Sequence, residues 1–116
     1  MKRIIIIFSL IICIQQSNAQ CIGGSLASNI TPSTSWQFVN GAAGGTYYTF
    51  NGTAGNTYSF SFCSADGGSS IYDTQISLLN SFGNYLQAGV DDYCGLNARL
   101  DFYCTVTATY RVLLTK

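Results

Sequence analysis

The stretch Asn56-Thr57-Tyr58-Ser59-Phe60-Ser61-Phe62-Cys63 (NTYSFSFC, residues 56–63) places an aromatic ring at every second position. A helix would scatter those rings around its girth, whereas a strand sets all three on one face. The same period of two recurs along the chain. Ile76 and Leu78 alternate with Gln75 and Ser77; Leu100 and Phe102 alternate with Arg99, Asp101 and Tyr103; Tyr110, Val112 and Leu114 alternate with Arg111 and Leu113. Each pattern predicts a strand with one face buried and one wet. Leu79 and Leu113 fall on the outward faces. Two further strands are expected, at residues 44–50 and at residues 35–39, where Trp36 and Phe38 share a face directed into the core.

Turn chemistry fills the gaps. NGTAGN (residues 51–56), NSFGN (80–84) and TVTA (105–108) separate the alternating runs, and such residues favour turns over regular elements. Glutamate is absent, and lysine and methionine are sparse, so the strong helix formers are largely missing. About seven short antiparallel strands at regular spacing predict an all-β, jelly-roll-like sandwich. A faint echo supports a shared way of starting strands. Tyr58 follows the turn at 53–57 and Tyr110 follows the turn at 107–109, each ring buried and each hydroxyl bonded near the rim.

The N-terminus carries an address rather than a fold. Lys2 and Arg3 precede an apolar run at residues 4–14, then a polar stretch and Ala19. That is the order of a secretory signal peptide, and the run is shorter than the roughly 20 residues a bilayer span needs. Gln20 before Cys21 argues against lipid attachment at that cysteine, because small residues are favoured there. Cleavage after Ala19 leaves residues 20–116 as a single domain, extracellular or periplasmic, without a membrane span.

Cleavage changes two counts. Cys13 leaves with the apolar run, so Cys21, Cys63, Cys94 and Cys104 remain. An even number in a small exported chain predicts two disulfides. Four cysteines allow three pairings. Strand positions favour Cys63 with Cys94, leaving Cys21 with Cys104. The first bridge closes a loop worth roughly 3–4 kcal/mol in chain entropy. Charge falls to about −2, with Arg99, Arg111 and Lys116 facing Asp66, Asp73, Asp91, Asp92 and Asp101. Neither nucleic acid nor anionic lipid is an expected partner of such a chain.

The acids are not spread evenly. Asp73 precedes one strand, and Asp91 and Asp92 follow its hairpin partner. An antiparallel partner returns to the end where the first strand began, so the three carboxylates are expected on one rim. Two readings stand. Aspartates cap turns and sit in solvent; or they bind Ca²⁺, which takes six to eight oxygens, with Asn97 or loop carbonyls completing the set. Arg99 is the nearest cation in sequence, and Asp66-Gly67-Gly68 lies in a loop beside the acids. Tyr72, Tyr85 and Tyr93 are expected to flank this rim and to grip a ligand, or else to fill the rims of the two layers.

The order of Cys63, Tyr72-Asp73-Thr74-Gln75-Ile76, Asp91-Asp92-Tyr93-Cys94-Gly95 and Thr109-Tyr110-Arg111-Val112 resembles the pre-peptidase C-terminal type of secreted bacterial β-sandwich. The likeness covers roughly residues 44–114. It implies a jelly-roll-like module that attaches exported enzymes to their substrates, in some relatives with calcium. The 116 residues contain no accompanying catalytic domain.

Histidine is absent, which removes Ser-His-Asp and Cys-His catalysis and every histidine-bound metal. Oxidised cysteines supply no thiolate nucleophile. Paired aspartates spaced as in a glycosidase would need a cleft between them, so a non-enzyme is expected. The sequence points to a monomeric module that binds extracellular polysaccharide or protein through the acidic rim. The alternative is a structural or assembly subunit, favoured by outward-facing Leu79 and Leu113. Asn29-Ile30-Thr31 and Asn51-Gly52-Thr53 match the N-glycosylation pattern, which matters only in a eukaryotic secretory route.

Overall fold

The computed structural model describes residues 23–116. The expected signal peptide, Cys13 and Cys21 lie outside the described residues. Seven strands run in order: β1 (Ser25–Asn29), β2 (Thr46–Gly52), β3 (Thr57–Ser61), β4 (Gln75–Asn80), β5 (Tyr85–Val90), β6 (Arg99–Tyr103) and β7 (Ala108–Thr115). A single 3-10 turn at Ser64–Asp66 is the only helical element among the described residues. The all-β class expected from the period of two is therefore observed.

The strands form two sheets. One has five strands in the order β1-β2-β7-β4-β5; the other is the ladder β3-β6. All pairings are antiparallel except β1 with β2, which is parallel. Six of the strands lie where the alternating runs and the turns between them put them. The seventh does not. Residues 35–39 are irregular, and Trp36 is 44% exposed rather than in the core. The reason is topological: residues 31–44 carry the chain back from the end of β1 to the start of β2, as a parallel pair requires. The strand on that side is instead Ser25–Asn29, which is exposed throughout and carries no alternation to read.

The two sheets meet across aromatic rings. Phe50 of β2 lies 5.1 Å from Tyr58 and 5.1 Å from Phe60 of β3. Phe102 of β6 meets Tyr110 of β7 edge-on at 5.0 Å. Leu78, Leu100, Ile76 and Val112 complete the buried cluster. Both echo hydroxyls bond near the rim as their spacing suggests, with the Tyr110 ring buried and the Tyr58 ring half-buried. The Thr53 N–H donates to the Tyr58 hydroxyl at 2.8 Å, and the Tyr110 hydroxyl donates to the Val106 carbonyl. Gly52 is required beside them. A Cβ there would lie 2.8 Å from the Tyr110 ring and 3.1 Å from Cys104 Sγ.

Leu79 and Leu113 are not outward surface: each is 1% exposed. Leu113 sits in the middle strand between Tyr47 and Ser77. The chain at Gly24 passes so close that a Cβ there would come within 2.7 Å of the Leu113 Cδ1. Next to it, the Arg111 guanidinium lies 4.8 Å from the Tyr47 ring centre and donates to the Ser81 carbonyl at 2.6 Å, so its stem lies across the same face. Ser77 is buried as well. Its hydroxyl accepts the Gly89 N–H at 2.8 Å, where bulges interrupt the β4–β5 ladder.

One disulfide is present among the described residues, Cys63–Cys94, with Cα atoms 5.9 Å apart. Cys104 corrects the expectation of a second bridge. It is a free, buried thiol whose Sγ lies 3.1 Å from the Val106 carbonyl and 3.7 Å from the Tyr110 hydroxyl.

Candidate acidic rim

The β4–β5 hairpin decides where the acids lie. Asn80 builds its turn: the Asn80 Oδ1 accepts the N–H groups of Phe82 and Asn84, each at 3.0 Å, and Gly83 takes a positive φ of 86°. The return strand then brings Val90 opposite Ile76. Asp73, just before β4, and Asp91 and Asp92, just after β5, end at one edge. Their carboxylate oxygens lie within 4.8 Å of one another, all three exposed. The rim expected from hairpin geometry is present.

Local backbone aims the pair. Asp92 holds a φ of 50°, a left-handed conformation that aspartate tolerates better than most residues. Its N–H donates to the Asp91 Oδ1 at 2.8 Å. Cys94 follows, tied by the disulfide to the end of β3. Cys94 also donates its N–H to the Asn97 carbonyl at 3.1 Å.

No cation among the described residues answers the three charges. Arg99, the expected neighbour, is drawn to the other face of β6. It pairs with Asp66 at 3.1 Å and Asp101 at 3.3 Å, and its guanidinium lies against the rings of Trp36 and Tyr93. Hydrogen bonding to Asp101, then its charge and that of Asp66, raise the Arg99 pKa further. Asp66 is thereby taken as well, since it also accepts the Ser61 hydroxyl at 2.6 Å. The Asp73 carboxyl is held above the ordinary carboxylate range, first by loss of water around it and then by the charges of Asp91 and Asp92.

The three expected ligand-gripping tyrosines separate. Tyr93 adjoins Asp92 and is exposed. Tyr72 adjoins Asp73, but its hydroxyl donates to the Ala42 carbonyl at 3.3 Å and Lys116 Nζ lies 4.9 Å above its ring. Tyr85 does not flank the rim. It opens β5 opposite Leu79, roughly 20 Å of strand away from Asp91. No helix of the described residues is long and apolar enough to cross a membrane. Comparison with known protein families, with curated proteins and with solved structures finds no match for this chain.

Proposed function

We propose that the protein is a non-catalytic, exported binding module whose acidic rim holds Ca²⁺ and through it attaches to an extracellular polysaccharide or protein. The observation that carries this reading is the convergence of Asp73, Asp91 and Asp92 within 4.8 Å with no cation among the described residues set against them. Like charges held together disfavour the folded chain unless something neutralises them. Three carboxylates supply a large share of the oxygens calcium takes, and exposed loop carbonyls and water supply the rest. Exposed Tyr93 beside the acids gives a polymer an aromatic face to lie on.

The framework is read as a jelly-roll-like sandwich. Jelly rolls stack two four-stranded sheets. Removing the middle hairpin, so that β4 turns directly into β5, leaves β2-β7-β4-β5 facing β3-β6, with β1 added at the edge. The basic start and apolar run of residues 2–14 support export, and the Cys63–Cys94 bridge suits an oxidising compartment.

Calorimetric titration and thermal melting test the reading. Calcium at about 1 mM, the range of weak extracellular sites, gives heat and raises the melting temperature of the parent protein. Asp92→Ala removes both effects. A parent protein whose melting temperature ignores calcium ends the proposal. A second reading, an assembly subunit, draws on a different observation. Exposed Phe82, Leu86 and Val106 line an apolar groove of about 380 Å³ beside Phe102. A single monomeric species in size-exclusion chromatography of the mature chain counts against it.

A further inference from the structure

We propose that the cleft between β3 and residues 31–44 is a second site, which takes an extended peptide as an added strand. None of the three rim aspartates lines it, and it does not depend on calcium there. The register of the β3–β6 ladder defines one wall. The Phe62 N–H donates to the Ala98 carbonyl at 3.0 Å, and the Cys104 N–H donates to the Asn56 carbonyl at 2.8 Å. Even-numbered residues of β3 therefore face β6, and Thr57, Ser59 and Ser61 turn their N–H and C=O groups the other way. None of these three has a backbone partner on that side among the described residues.

The opposite wall is residues 31–44, which make no backbone–backbone hydrogen bond among the described residues. Between the walls lies a cleft of about 1180 Å³. Its floor is the apolar face of the larger sheet, with Ile76, Val112 and Leu114, and its mouth carries Trp36 and Phe38. Asp66 is the only charged residue lining it among the described residues, and Arg99 already holds that carboxylate.

A free strand edge on β3, faced by a segment that makes no backbone–backbone hydrogen bond, over an apolar floor, is the chemical complement of one β-strand. A strand carries donors and acceptors along both edges and turns alternate side chains to floor and solvent. A hydrocarbon would leave the β3 edge unpaired, and a sugar would set hydroxyls on an apolar floor. A folded second copy cannot enter between two walls. The occupant is thus a single extended segment with apolar residues at alternate positions and no required charge.

Amide hydrogen exchange followed residue by residue tests this. The probe is an end-blocked octapeptide alternating threonine and valine, at about 1 mM. It slows exchange at Thr57, Ser59 and Ser61 by about tenfold or more, and the slowing persists in Asp92→Ala. The N-methylated peptide, which keeps the side chains but has no N–H to donate, leaves those rates unchanged. Three results overturn the proposal. One is unchanged rates with the unmethylated probe, and another is equal slowing by the methylated one. The third is slow exchange of these three amides together with residues 35–39 in the free protein, which means that the chain's own crossover already fills the slot.

Discussion

Asp73 carries the clearest pH signature in the molecule. Its carboxyl is held above the ordinary range by lost hydration and by the charges of Asp91 and Asp92. The folded chain therefore takes up this proton more readily than the unfolded chain does. Ionised Asp73 weakens the fold at neutral pH, and the penalty is relieved as pH falls through its raised pKa. Without calcium, Asp73→Asn should melt higher than the parent at pH 7, and the gap should close on acidification; with calcium the order should reverse. Matched melting curves at the two pH values check this. The two echo tyrosines make a second pair. Tyr58 accepts a backbone N–H from Thr53, which favours its phenolate and lowers its pKa. Burial, and then the contact with Cys104, raise that of Tyr110. In an ultraviolet titration, Tyr58→Phe should remove an early phenol and Tyr110→Phe a late one. At this scale much was legible. The acids converge because a hairpin returns a chain to its start, and that follows from the NSFGN turn alone. Nearness in sequence puts Tyr85 beside the rim, whereas β5 carries it to the other end of the hairpin. Trp36 lies exposed: alternation with Phe38 says that two rings share a side, not that anything covers them.

At the scale of elements, the larger sheet departs from simple alternation. Period two assigns one face to water, yet Ser77, Leu79 and Leu113 are buried on it. β4 and β7 are interior strands, and the Arg111 stem, the Tyr47 ring and the chain near Gly24 cover what a lone hairpin would expose. Leu113→Ala should therefore cost about 2–5 kcal/mol, as for a core leucine, and not the near-zero of a surface site. Denaturant unfolding of the variant gives the number. β1 was illegible for a related reason. SLASN has no apolar face, and its parallel pairing comes from the crossover and not from its own residues. Cysteine pairing was half legible: Cys63 and Cys94 end neighbouring segments of one rim, whereas Cys104 is enclosed beside Tyr110 and Gly52.

The whole molecule is tied together by its last strand. β7 lies between β2 and β4 in the five-stranded sheet and contributes Tyr110, Val112 and Leu114 to the core. β2 and β4 have no other contact through which to share a sheet. A chain ending at residue 107 should show no cooperative melting by circular dichroism, even though β3, β4, β5 and β6 keep their local partners. Such a topology is dominated by pairings far apart in sequence, which fold in milliseconds to seconds rather than microseconds. There is also a consequence in time. While the protein is still being made, its nascent chain holds the β1–β2 and β4–β5 ladders with no strand to join them into one sheet, and the sheet closes only once Ala108–Thr115 has left the ribosome. Until that strand has emerged, the chain stays open and threadable.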